Sequence, residues 1–117
     1  MIFDINKIQL ASNNSSLKMI KSGTGTLDVP GLGGAGLTAN TAVIPHGYGS
    51  DALIVQVWSS LGFSSSGGML PFQTPDGGVI AIVRVDATNL YIKIYHNSSF
   101  SAMDPRSYTY SYRILVP

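Results

Sequence analysis

The chain has 117 residues, 44% of them apolar and only 11% charged, with seven Lys and Arg against six acidic residues for a formal net charge of +1. It reads as one domain over 1–117, with no room for a second core, and it cannot assemble the basic patch that nucleic-acid binding requires. Cys is absent, which excludes disulfides, thiolate metal sites and Cys nucleophiles.

All six acidic residues are Asp, and there are 13 Gly and 6 Pro, so little in the chain favours helix. Residues 1–16 are apolar-rich at first and then polar, and are expected to form an N-terminal arm or an extra strand. The start lacks the basic and apolar regions of a signal peptide. Leu17–Ser22 predicts a strand, followed by a Gly/Thr-rich stretch over Gly23–Val29. Pro30–Gly36 is the most Gly-dense piece, a loop or a place where backbones approach closely. Thr41–Ile44 is a short strand stopped by Pro45. Over Ala52–Ser59, Leu53, Val55 and Val57 share one face, while Ile54, Gln56 and Trp58 share the other. A turn is expected at Ser64–Gly68, an edge segment at Met69–Phe72, and a Pro/Gly turn at Thr74–Gly78.

Val79–Asp86 and Asn89–Tyr95 form a hairpin through a tight connection at Asp86–Asn89. In its second strand Leu90, Ile92 and Ile94 point one way and Tyr91, Lys93 and Tyr95 the other. Asn97–Arg106 is a polar loop. The closing strand, Ser107–Val116, carries Tyr108, Tyr110, Tyr112, Ile114 and Val116 on one face and Thr109, Ser111, Arg113 and Leu115 on the other. About seven short strands at roughly 8–12-residue intervals predict an all-β, single-domain antiparallel β-sandwich. No apolar stretch approaches the roughly 20 residues that span a bilayer, so membrane insertion is not expected.

Candidate chemistry is sparse. His46, in the corner Pro45-His46-Gly47, and His96 have no HxH or HxxxH spacing, so both are expected to bond to loop backbone and hold no metal. Gly31, Gly33 and Gly36 match the spacing of a dinucleotide-binding loop, but no helix follows to supply a phosphate site. A Gly-x-Ser-x-Gly elbow is lacking. The Asp residues fall in or beside turns, where Asp serves backbone geometry. No enzyme, no catalytic residue and no cofactor is therefore expected. Asn13, Asn14 and Asn97 begin Asn-x-Ser sequons that read as loop asparagines. The aromatic residues are more informative. Tyr91, Tyr95 and Trp58 are candidates for a ligand-stacking surface, and Tyr108, Tyr110 and Tyr112 for a core or subunit-interface stripe. Tyr110 and Tyr112 are predicted to be largely buried, with hydroxyls bonded at the sheet edge.

The order of segments is familiar. Leu17-Lys18-Met19-Ile20-Lys21-Ser22-Gly23-Thr24 leads to Thr41-Ala42-Val43-Ile44-Pro45-His46-Gly47-Tyr48-Gly49. An apolar strand follows at Ala52–Trp58, then Asn89-Leu90-Tyr91-Ile92-Lys93-Ile94, and the chain closes with Tyr108-Thr109-Tyr110-Ser111-Tyr112-Arg113-Ile114-Leu115. This resembles the small β-sandwich domains of bacteriophage tail-fibre and virion proteins, which are similar to the H-type lectins. The corner departs from that pattern in lacking a further Pro before the next strand. The resemblance implies a homo-oligomer, trimer or hexamer, acting as a non-enzymatic structural or attachment module of a phage-like particle: a tail fibre, baseplate or decoration protein. It implies other virion proteins or cell-surface glycans as partners, and a virion location after assembly in a host cytoplasm. The alternative it leaves is a soluble carbohydrate-binding lectin with sites at subunit boundaries.

Overall fold

The computed structural model describes residues 17–60 and 67–117. The arm or extra strand expected over 1–16, with Asn13 and Asn14, and the part of the expected turn at 64–66 lie outside the described residues. Two four-stranded antiparallel sheets form a β-sandwich. The eight strands are β1 (Lys18–Val29), β2 (Gly36–Pro45), β3 (Ile54–Ser60), β4 (Gly67–Met69), β5 (Phe72–Gln73), β6 (Val79–Val85), β7 (Asn89–Ser98) and β8 (Arg106–Val116). The first sheet has the order β1-β8-β3-β4 and the second β2-β7-β6-β5.

Alternation decides which side chains face the other sheet. Val55 and Val57 of β3 and Tyr108, Tyr110, Ile114 and Val116 of β8 point inward from the first sheet. Ile44, Val79, Ala81, Leu90, Ile92 and Ile94 meet them from the second. Each fully buried aliphatic side chain contributes about 1.5–3 kcal/mol, so these two facing rows carry most of the fold.

Several elements run longer than their local composition predicts. β1 does not stop at Ser22 but continues through Gly23-Thr24-Gly25-Thr26 to Val29, paired along its length with β8. One irregularity between Met19 and Lys21 leaves Ile20 unpaired. β2 begins at Gly36 instead of Thr41, because residues 36–40 pair with 94–98 of β7. Partner strands supply the hydrogen bonds that intrinsic propensity would not predict. By the same pairing, β7 extends past Tyr95 to Ser98, and Gly67-Gly68, expected in a turn, belong to β4 opposite Ser60 and Ser59. The Met69–Phe72 segment carries the chain between sheets, giving the edge strands β4 and β5.

The β1–β2 crossing, Pro30–Ala35, is clasped to the β7–β8 crossing by reciprocal backbone hydrogen bonds of 2.8 Å between Leu32 and Met103. Gly31 lies against the Met103 carbonyl so closely that a Cβ would collide with it. The close backbone approach expected in this stretch is therefore real at Gly31, while Gly33 and Gly34 face open space. Thr38 and Asn40 of β2 lace the two sheets together at this side, donating at 2.8 Å to the carbonyls of Pro30 and Asp28.

Candidate functional site

The corner Pro45-His46-Gly47 lies where β2 leaves the second sheet. The His46 N–H donates to the Thr88 carbonyl at 2.9 Å, and its ring Nε2 lies 2.8 Å from the Asp86 carbonyl. The Tyr48 N–H donates to ring Nδ1 at 3.0 Å. A carbonyl can only accept, so Nε2 carries the proton and Nδ1 is the acceptor. Gly47, at φ 67°, allows the chain to fold back over the ring. The β6–β7 connection beneath it is built on Asp86. Its Oδ1 accepts the N–H groups of Asn89 at 2.7 Å and Thr88 at 3.0 Å, and its Oδ2 accepts the Tyr91 hydroxyl at 2.8 Å. Those bonds, led by the Asn89 and Thr88 N–H groups, hold the carboxyl far below the usual carboxylate range. The His46 ring is thus held by backbone groups on both nitrogens, and the Pro45 carbonyl accepts the Lys21 ammonium.

His96 departs from the expected strand-end position. It lies within β7 and is fully buried. Ring Nδ1 is 2.9 Å from the Pro30 carbonyl and Nε2 is 2.6 Å from the Tyr108 hydroxyl. Pro30 can only accept, so Nδ1 is protonated and Tyr108 donates to Nε2. Burial lowers the pKa of His96, outweighing the opposing Pro30 bond, and raises that of Tyr108. The two histidines stand at opposite ends of β7. Among the described residues no three His, Cys, Asp or Glu side chains converge on one point.

The tyrosine stripe of β8 faces inward, with Tyr108 and Tyr110 buried and Tyr112 half-buried. Its accommodation depends on β1: Gly25 is the direct partner of Tyr110 and Gly23 of Tyr112. A Cβ on Gly25 would lie 2.5 Å from the Tyr110 hydroxyl, and one on Gly23 would lie 2.7 Å from that of Tyr112. The rings therefore lie flat across β1, in space that only glycine leaves. The expectation of bonded hydroxyls is corrected here. Among the described residues the bonded hydroxyl of the stripe is that of Tyr108, whereas Tyr110 and Tyr112 reach over an edge strand to the sheet margin, where solvent can serve them.

Tyr91, Tyr95 and Trp58 do not form one surface. Tyr91 and Tyr95 stand on the outer face of the second sheet, and Trp58 on the outer face of the first. They are separated by the full thickness of the sandwich, because β3 and β7 belong to different sheets. Neither tyrosine offers a bare ring: the Arg84 guanidinium carbon sits 4.0 Å over the Tyr91 ring centroid, and Lys93 Nζ 4.9 Å over that of Tyr95.

Trp58 lies beside Met69 of β4, with Gln56, Ser111 and Arg113 around it. The next rows of the same face are Ser22, Arg113 and Gln56, and then Met19, Leu115 and Ile54. Toward the opposite end come Thr24, Thr26, Thr109 and Ser60. Met19, Ile54, Trp58 and Met69 are all exposed.

The sequence did not point to an open cleft of about 790 Å³ at the His96 end of the sandwich. It lies between the β5–β6 turn, Thr74–Gly78, and the β7–β8 crossing, and it reaches Asn97, Phe100, Met103 and Arg106. Asp76 Oδ1 accepts the Gly78 N–H at 2.9 Å and the Thr74 hydroxyl at 2.8 Å, and these bonds hold its carboxyl below the usual range. Ser98 pins the opposite wall: its hydroxyl accepts the Ser101 N–H at 2.9 Å and donates to the Ser101 carbonyl. Phe100, at the tip of that turn, is 84% exposed. A carboxylate, an amide and an open aromatic ring can together hydrogen-bond and stack a polyhydroxylated ligand. Both walls read as loops in the sequence, but no local pattern brings them together; pairing of β6 with β7 does.

Among the described residues no helix is long and apolar enough to cross a membrane. Compared with known proteins, the chain matches no family model, no curated protein and no solved structure.

Proposed function

We propose that this chain is a non-enzymatic, oligomeric β-sandwich module, a structural or attachment part of a phage-like particle such as a tail fibre, baseplate or decoration protein. The observation that carries the reading is the outer face of the first sheet. Met19, Leu115 and Ile54 form one cross-strand row and Trp58 with Met69 another, with the polar row Ser22, Arg113 and Gln56 between them. Exposed apolar rows on a sheet face, bordered by polar side chains, favour an interaction surface, and a closed cyclic assembly of identical chains would cover it. The phage-like context rests on the resemblance of the quoted segments. Light scattering at micromolar concentration should give a multiple of the subunit mass, three being expected, and Trp58→Asp should shift it to one. A wild-type mass of one subunit would overturn the reading.

A second reading, a soluble carbohydrate-binding lectin, is favoured by the loop-end cleft with Asp76, Asn97 and the exposed ring of Phe100. In this reading a glycan array should return a defined ligand set, lost on Phe100→Ala while the oligomer is kept. An array silent for the wild-type chain removes it.

A further inference from the structure

We propose that the outer face of the second sheet is a binding site for a phosphate group, held between Arg84 and Lys93. Arg84 is the direct partner of Tyr91 and Lys93 of Ile82. The two cations are therefore diagonal neighbours on adjacent strands, about 7–8 Å apart at the backbone. Like charges so placed repel, and in a chain with only seven Lys and Arg such a pairing needs a reason. Each side chain is seated on a tyrosine ring, at 4.0 Å for Arg84 over Tyr91 and 4.9 Å for Lys93 over Tyr95. The rings hold the cations in place before any ligand arrives, which lowers the ordering cost of binding. A guanidinium held over a ring by its carbon still has N–H groups to offer an oxyanion, and the lysine adds a point charge.

Thr41 and Ile82 complete a shallow depression of about 280 Å³, large enough for a phosphate. Its charge is offset only in part: Arg84 Nη1 pairs with Asp86 Oδ2 at 3.9 Å, while Lys93 has no ion-pair partner among the described residues. The Asp86 carboxylate also accepts the Tyr91 hydroxyl and the N–H groups of Thr88 and Asn89. The ring faces are covered by the cations, so the depression selects for negative charge rather than for stacking of a neutral sugar. This inference is independent of the assembly role, which concerns the opposite face.

The test is titration of the ¹⁵N-labelled full chain with inorganic phosphate, glucose 6-phosphate and glucose. Phosphate and glucose 6-phosphate should give saturable shifts centred on Thr41, Ile82, Arg84 and Lys93, and glucose none. Equal affinity for the two anions assigns the site to the free ion; tighter glucose 6-phosphate assigns it to a phosphate carried on a larger molecule. Lys93→Gln and Arg84→Gln, at a half-buried and an exposed position of the outer face, should each weaken binding about tenfold or more, and Arg113→Gln on the opposite face should leave it unchanged. The proposal fails if phosphate gives no saturable shift, if glucose binds as well, or if Arg113→Gln weakens binding as much as the other two.

Discussion

Tyr91 and Tyr95 of β7 stand on the outer face of their sheet, whereas Tyr108 and Tyr110 of β8, set in the same two-residue rhythm, lie in the core. The difference comes from what occupies the other parity. On β7 the alternative inward set is Leu90, Ile92 and Ile94, three aliphatic side chains with no polar atom to satisfy. Burying a tyrosine hydroxyl without a partner costs about 1–3 kcal/mol, so the aliphatic residues go in and the tyrosines go out. On β8 the alternative is Thr109, Ser111 and Arg113, and the tyrosines win. The ring then needs room and the hydroxyl needs an outlet. Gly23 and Gly25 supply the room, and His96 gives Tyr108 its acceptor.

The contrast can be broken most severely at Tyr108. Tyr108→Ala should cost about 3–5 kcal/mol, as truncation of a buried aromatic does, whereas Tyr95→Ala should cost about 1 kcal/mol or less, the loss of one exposed cation–ring contact. Urea denaturation of the two variants side by side measures this; equal losses would mean that the inward and outward rows are energetically the same.

Gly25→Ala forces the buried Tyr110 ring off β1 and should cost about 1–3 kcal/mol, the range for overpacking. At Gly23 the opposing Tyr112 is half-buried and can swing outward, so Gly23→Ala should be milder, its strain offset by the roughly 0.5–1 kcal/mol that alanine gains over glycine within a strand. Thermal melts showing Gly23→Ala to be the worse of the two would contradict the packing described.

Tyr108→Phe removes the donor to His96 Nε2 and leaves a buried acceptor unpaired, for about 1–3 kcal/mol. The same site gives a pH signature. Burial holds the folded pKa of His96 below its ordinary value of 6.5. The unfolded chain therefore takes up a proton first as pH falls through 6.5, and stability is lost from there downward. The depressed carboxyls of Asp76 and Asp86 add losses only below their ordinary 3.8. Between pH 5 and 6.5 the fall belongs to His96, and it should vanish in His96→Gln, read as the urea midpoint against pH. Persistence of the slope in that variant would falsify the assignment.

The smallest effect should be at Tyr112. Its hydroxyl has no hydrogen bond among the described residues, so Tyr112→Phe should change stability by about 0.5 kcal/mol or less. A larger loss in a denaturation curve would reveal a partner for it, such as a neighbouring subunit.

Much was determined locally. The period-two patterns of Leu53–Trp58, Leu90–Tyr95 and Tyr108–Val116 fix which side chains share a face, because a strand has no other way to place them. The turns at Thr74–Gly78 and Asp86–Asn89 are equally local, since their Asp side chains bond to the next few N–H groups. His46 is local only in accepting the Tyr48 N–H; its own N–H and ring Nε2 are held by the carbonyls of Thr88 and Asp86, far along the chain.

What the sequence could not determine by itself depends on pairs distant in the chain. β1 remains a strand through Gly23-Thr24-Gly25 because β8, some ninety residues on, needs that empty space for its rings. His96 is a core residue and not a strand-end one because Pro30 and Tyr108 meet its two nitrogens from different parts of the chain. Trp58 parts from Tyr91 and Tyr95, and Asp76 meets Phe100 across a cleft, through the division of strands between sheets. A side-chain period tells which residues share a face, but whether that face meets the core, water or another element is settled only when the sheets pack, since the burial free energy belongs to the pair of surfaces and not to either strand alone.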